Sequence, residues 1–193
     1  IMSSDWSSDV CSSDLCKAES VSVENRLHFT DIRCDITVDE SVVHIDKGKA
    51  SLFGGALKYA AVIEPSRQWL HTAEISVRNF DVGRYYRACE CGEGILDGTL
   101  HATLEFSPSL LNRDSIRCSG KAVMDNLNIQ QTPIQNTLVM VTMLNELSSF
   151  RLDNASTDIE IREGKIFSPN AHGDGPMLSL DVAGSIQWDG TME

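Results

Sequence analysis

The side chains that could bind a metal or perform catalysis are few and scattered. Cys89 and Cys91 form a single C-x-C, with Cys34, Cys118, His71 and His101 far away in sequence. Structural zinc sites use paired C-x2-C spacings that bring four ligands to one ion. With only one C-x-C, these cysteines read as loop thiols, or as disulfide partners in an oxidising compartment. Asp97, His101 and Glu105 recur along one segment. Two carboxylates at a suitable separation can hydrolyse a glycoside, but carboxylates are plentiful here, and these three read as one wet strand face. Ser119-Gly120 and Ser185 lack a G-x-S-x-G elbow. Gly92-Glu93-Gly94 is no phosphate loop, because no G-x-G-x-x-G precedes a helix. The chain is therefore expected to have no catalytic residue, no metal and no cofactor.

The elements that must carry these side chains have a period of two. Ala73, Ile75 and Val77 alternate with polar residues between Trp69 and Phe80. Leu96, Leu100, Leu104 and Phe106 share one parity, and Asp97, Thr99, His101, Thr103 and Glu105 the other. In the last quarter Ile159 and Ile161 alternate with charges. Leu178, Leu180, Val182, Ile186 and Trp188 then alternate with Ser179, Asp181, Ser185, Gln187 and Asp189. Such alternation marks β-strands with one apolar and one wet face. Eight to ten strands are expected from Ser20 onward, none with the continuous apolar run of a parallel sheet.

Lys47-Gly48 and Glu163-Gly164 read as turns. Gly54-Gly55 reads as a bulge or bend inside a strand. Cys118-Ser119-Gly120 punctuates a stretch, 116–129, that reads as one strand turning into another. Asp81 caps one or two helical turns up to Ala88. The long helical spacing is Pro133 to Leu147, with Thr132 as N-cap and Ile134, Leu138 and Val141 on its stripe. The fold class is mainly β: a curved antiparallel meander with a groove and one main amphipathic helix near 133–147. A faint echo between His44–Lys49 and Glu160–Lys165 points to a repeated β-unit.

The chain has 193 residues, 41% of them hydrophobic, and a net charge of −12. Nucleic acid is an unsuitable partner, because phosphate binding needs Lys and Arg in excess on one face. The same charge disfavours direct docking on an anionic membrane surface. No apolar run approaches the roughly 20 residues of a membrane helix.

Residues 1–15 stand apart. Ser-Ser-Asp occurs three times in them, with neither helical nor strand period. Asp5 to Leu15 resembles the in-frame translation of a sequencing-library adapter oligonucleotide, so residues 1–15 are set aside as an artefactual tail. That tail is expected to pack against nothing, with Trp6 outside any core. Residues 16–193 then form a single β-rich domain, expected to be a fragment of a longer chain. Setting Cys11 aside leaves Cys16, Cys34, Cys89, Cys91 and Cys118, an odd number whose pairing stays open.

Eight to ten strands at roughly 4.8 Å each make a sheet on the order of 40–50 Å wide. A fifteen-residue helix is only about 22 Å long and about 10 Å thick. The sheet must curl, pair with a second sheet, or keep an apolar trough for something else. Several motifs follow one another along this chain. They are G-x-L-x-G-x-L-x-A-x-L (Gly94 to Leu104), a Pro-started helix (Pro133), F-x-L-x-N-A (Phe150 to Ala155), I-x-x-G-x-I (Ile161 to Ile166) and L-x-L-x-V-x-G-x-I-x-x-D-G (Leu178 to Gly190). Their order resembles the C-terminal region of bacterial AsmA-like proteins, relatives of TamB and YhdP, over roughly Glu24 to Gly190.

The resemblance implies a non-enzymatic module on the periplasmic side of the bacterial inner membrane. It would be anchored by an N-terminal helix missing from this chain and would support phospholipid transport or outer-membrane assembly or homeostasis. Phospholipid acyl chains would lie in a groove faced by Leu96, Leu100, Leu104, Phe106, Leu178, Leu180, Val182, Ile186 and Trp188. The competing expectation is a structural or adhesive β-domain whose apolar face is fully internal.

Overall fold

The computed structural model describes residues 13–23, 27–89, 95–112, 114–130, 140, 149–176 and 178–187. Among the described residues the alternating segments form eleven strands: β1 (Ser13–Val23), β2 (Leu27–Asp39), β3 (Val42–Leu52), β4 (Gly55–Glu64), β5 (Trp69–Asp81), β6 (Ile95–Ser107), β7 (Ser109–Leu110), β8 (Arg117–Gln130), β9 (Ser149–Arg162), β10 (Lys165–Asp174) and β11 (Ser179–Gln187). They make one antiparallel sheet in the order β1-β2-β3-β4-β5-β6-β8-β9-β10-β11. The short β7 pairs with the start of β5. Strands β1 and β11 do not meet, so the curved meander stays open. Nine strand spacings give it a width of about 43 Å.

Directly paired residues face the same side of a sheet, so the register defines its two faces. One line runs Ile36, Ile45, Ala61, Ala73, Phe106, Cys118, Ile161, Ile166 from β2 to β10. A neighbouring line on the other face runs Lys17, Arg33, Lys49, Lys58, Ser76, Thr103, Lys121, Asp158 from β1 to β9. The first is apolar throughout and the second polar throughout, as a period of two requires.

Hairpin turns follow the expected chemistry at Glu163-Gly164, where both residues have positive φ. Two other glycine sites exchange roles. Gly54 belongs to the β3–β4 turn: Phe53 and Gly54 have positive φ, and Leu52 pairs with Gly55. Lys47-Gly48 is no turn but a bulge inside β3, with Lys47 at φ 50° and a register slip between Ile45 and Gly48. A left-handed residue beside a glycine serves a turn or a bulge equally well, and only the partner strands decide between them. The echo between His44–Lys49 and Glu160–Lys165 therefore matches a bulge with a hairpin and marks no repeat.

The stretch 116–129 is likewise one strand, β8, and not two. Asn126 at φ 52° shifts the alternation within it, so Ala122 and Met124 lie on the same face as Leu127 and Ile129. Gly120 marks no turn; a side chain there would collide with the Thr103 carbonyl.

At the N-terminal edge, Ser13, Asp14 and Leu15 pair with Thr37, Ile36 and Asp35 of β2. The expectation that residues 1–15 pack against nothing is corrected for these three. The free N–H and C=O groups along β2 accept any extended segment, whatever its origin. Leu15 is still 59% exposed. Residues 1–12, Trp6 included, lie outside the described residues.

The short helix after β5 forms as expected. α1 (Val82–Ala88) is capped by Asp81, whose side chain accepts a hydrogen bond from the Arg84 N–H at 2.8 Å. The longer helix expected over 133–147 lies outside the described residues, apart from Met140, which is helical and exposed. Among the described residues the buried apolar side chains are Cys34, Ala50, Leu70, Phe80, Val82, Cys118, Leu127, Leu152 and Ile161, thinly spread from β2 to β9. That distribution belongs to a single layer, not to two sheets packed face to face.

Candidate functional site: an apolar trough on β6 to β11

The apolar face divides into a covered part and an open part. α1 packs on β6 beside the end of β5. Phe53, Phe80 and Tyr85 meet there edge to face or tilted, with ring centroids 5.6–5.8 Å apart. The Asp81 N–H donates to the Phe53 carbonyl at 3.2 Å, which ties the β3–β4 turn to this cluster. The Arg87 guanidinium holds Asp97 at 3.1 Å and fixes the helix against β6.

Beyond the cluster the face opens into a trough of about 220 Å³. Met124, Leu127 and Ile129 of β8 and Phe150, Leu152 and Ala155 of β9 line it, with Leu100 on one side and Leu180 and Val182 on the other. Its floor is tight, because the Leu152 side chain fills the space left by Gly173. Its β11 wall is wet: Leu180 is 38% and Val182 48% exposed. The volume lies below the roughly 300–1,000 Å³ of pockets that enclose small molecules. It suits an elongated apolar chain lying along a surface.

The residues expected to face a groove divide accordingly. Leu100, Leu180 and Val182 line the trough. Leu96 pairs with Ile129, which itself lines the trough. Leu104 and Phe106 lie farther along β6, paired with Gly120 and Cys118, and Leu104 packs over that glycine. Leu178 precedes β11, and its carbonyl accepts the Gly175 N–H at 2.9 Å. Ile186 is in register with Ile166, while Trp188 lies outside the described residues. The sequence reading missed the floor residues Met124, Leu127, Ile129, Phe150 and Leu152.

The titratable side chains lie in separate small groups. Asp97 is bound to Arg87, His101 lies 3.4 Å from Asp125, and Glu105 is paired across to Ser119. These three do not converge on a common point. His172 is clamped between Asp181 at 2.7 Å and Asp174 at 2.9 Å, and Ser179 donates to Asp174 at 2.8 Å. Hydrogen bonds that the His172 imidazole donates to Asp181 and Asp174 raise it above its ordinary range. Those from Ser179 and His172 lower the Asp174 carboxyl. Cys89 is a free thiol, whereas Cys91 lies outside the described residues. No group of three metal-ligating side chains occurs among the described residues, and no described helix is long and apolar enough to cross a membrane. No protein-family model, curated protein or solved structure matches this chain.

Proposed function

We propose that this chain is a lipid-holding β-groove module, a non-enzymatic part of an AsmA-like protein that supports phospholipid transport or outer-membrane homeostasis. The observation that carries the reading is the open apolar face. A sheet about 43 Å wide has one apolar side from β2 to β10, and its β6–β11 half holds a trough with Leu127 and Leu152 buried in its floor and an exposed β11 wall. An acyl chain makes no directional bonds. It needs contiguous apolar surface, worth roughly 0.8 kcal/mol per buried methylene. In this reading the opposite, charged face turns to the aqueous periplasm, and the phosphate headgroup stays at the rim.

The test is native mass spectrometry of the purified chain. It should carry phospholipid from bacterial cells, or acquire it from vesicles of phosphatidylethanolamine and phosphatidylglycerol, and release it to detergent. A chain that purifies lipid-free and takes up none from vesicles is not a groove module.

A further inference from the structure

Cys16 on β1 stands directly opposite Cys34 on β2. Both are free thiols, Cys16 half-buried and Cys34 buried. Directly opposed antiparallel residues have Cα atoms about 4.5–5.5 Å apart, inside the roughly 4.4–6.8 Å that a disulfide spans. Cys16 is close enough to act on the Cys34 thiol. On its far side Cys34 is near Tyr59 of β4, whose hydroxyl it influences. The Tyr59 ring reaches across β3 at Gly48, where a methyl group would stand inside the ring. Cys16, Cys34, Gly48 and Tyr59 thus form one line over the first four strands.

We propose that Cys16 and Cys34 are a cross-strand disulfide site that staples the edge strand β1 to the sheet. The inference does not depend on what fills the trough. The oxidant is an external disulfide, such as oxidised glutathione. Cys16, the more exposed, loses its proton to solvent, and its thiolate attacks one sulfur of that disulfide. The external S–S bond breaks, one thiolate leaves, and Cys16 carries a mixed disulfide. Cys34 then loses its proton, and its thiolate attacks the Cys16 sulfur. The second thiolate departs as the Cys16–Cys34 bond forms. Two protein thiols are oxidised, and one external disulfide is reduced to two thiols.

Tyr59 has a defined part in the second step. Burial pushes the Cys34 thiol up, and the nearby Tyr59 hydroxyl opposes this. Tyr59 itself is pushed up to about 12, first by burial, so its proton remains available to donate. Tyr59 is a positioning residue for the closing thiolate.

The experiment treats the folded, reduced full chain with oxidised glutathione, alkylates the remaining thiols and maps non-reduced peptides. The expected product is a Cys16–Cys34 peptide, with loss of two hydrogens in mass. Amide exchange in β1 should slow by about a hundredfold, the size expected for closing a loop of this length. Cys16→Ser should abolish both effects with the sheet intact. Tyr59→Phe should leave glutathione on Cys16 several-fold longer while the final linkage stays the same. Persistent alkylation of both thiols in the folded protein, or linkage of Cys34 to Cys89 or Cys118 instead, overturns the proposal. So does unchanged exchange in an oxidised β1.

Discussion

Leu180→Arg separates an open trough from a closed core. Leu180 sits on β11, paired with Gly173, and keeps 38% of its surface in solvent. Fully burying a leucine side chain is worth roughly 1.5–3 kcal/mol, so losing this partly buried one costs about 1–2 kcal/mol. The arginine adds little to that cost. Its stem can follow the apolar wall while the guanidinium stays in water, which avoids the roughly 3–5 kcal/mol of a stranded buried charge. For a chain of this size the fall in Tm should be roughly 2–8 °C. Leu152→Ala is the contrast, because Leu152 is 3% exposed beneath the trough and truncation leaves a cavity, at about 2–5 kcal/mol. Thermal unfolding and native mass spectrometry are run on both variants. Leu180→Arg should lose bound phospholipid while remaining the better folded of the two. If it unfolds as severely as Leu152→Ala, a further layer of protein covers this face and the trough is core. If phospholipid remains bound at the wild-type level, the trough is not its site.

Gly48→Ala should destabilise by about 1–3 kcal/mol, because the new methyl meets both the ring and the main-chain carbonyl of Tyr59; an unchanged unfolding midpoint refutes this packing. Lys49→Glu should stabilise by about a few tenths of a kcal/mol, since Lys49 stands directly between Arg33 and Lys58; a lower midpoint in low salt would contradict that register. The His172 clamp should make β10–β11 sensitive to pH. His172 is raised, so its contribution is complete below the ordinary imidazole value of about 6.5 and is lost as pH rises through its folded value. Asp174 is lowered, so its contribution is present above the ordinary carboxyl value and is lost as pH falls through its folded value. Intrinsic-rate-corrected amide exchange on β11 should therefore be slowest in mildly acidic solution and faster above neutrality. His172→Gln should flatten the alkaline side, and equal pH dependence in both proteins speaks against the clamp.

The architecture was legible because alternation is a local signal, and on β6 and β11 it is nearly unbroken. The same strength misdirected the choice of site residues. It drew attention to the β6 and β11 residues, whereas the floor belongs to β8 and β9. On β8 the sequence places the punctuation at Cys118-Ser119-Gly120, whereas the pattern breaks at Asp125-Asn126. An Asn that tolerates a left-handed conformation lets the strand continue with its phase shifted. Two short apolar runs joined by Asp-Asn could have been read in that way. Turn and bulge at Gly54 and Gly48 were exchanged for a related reason, since both use positive φ and differ only in what pairs alongside. The cationic line Lys17, Arg33, Lys49, Lys58 and the facing thiols Cys16 and Cys34 depend on register between strands. No spacing along the chain announces either.

An open single layer also has consequences for how an occupant would act. Every extensive strand contact joins sheet neighbours, so stability is close to a sum of nearest-neighbour terms, as in repeat proteins. The outer strands have one neighbour each and should open at the lowest cost. The trough draws side chains from β6, β8, β9, β10 and β11, so an acyl chain lying in it would bridge strands that do not otherwise touch. Binding only the folded form adds RT ln(1 + [L]/Kd) to stability, and here that gain would fall on one half of the sheet. Removing phospholipid should therefore speed amide exchange on β9 to β11 while β3 and β4 change little. Uniform acceleration across the sheet would mean that lipid acts on the fold as a whole, and no change would mean that the trough is empty in the folded protein.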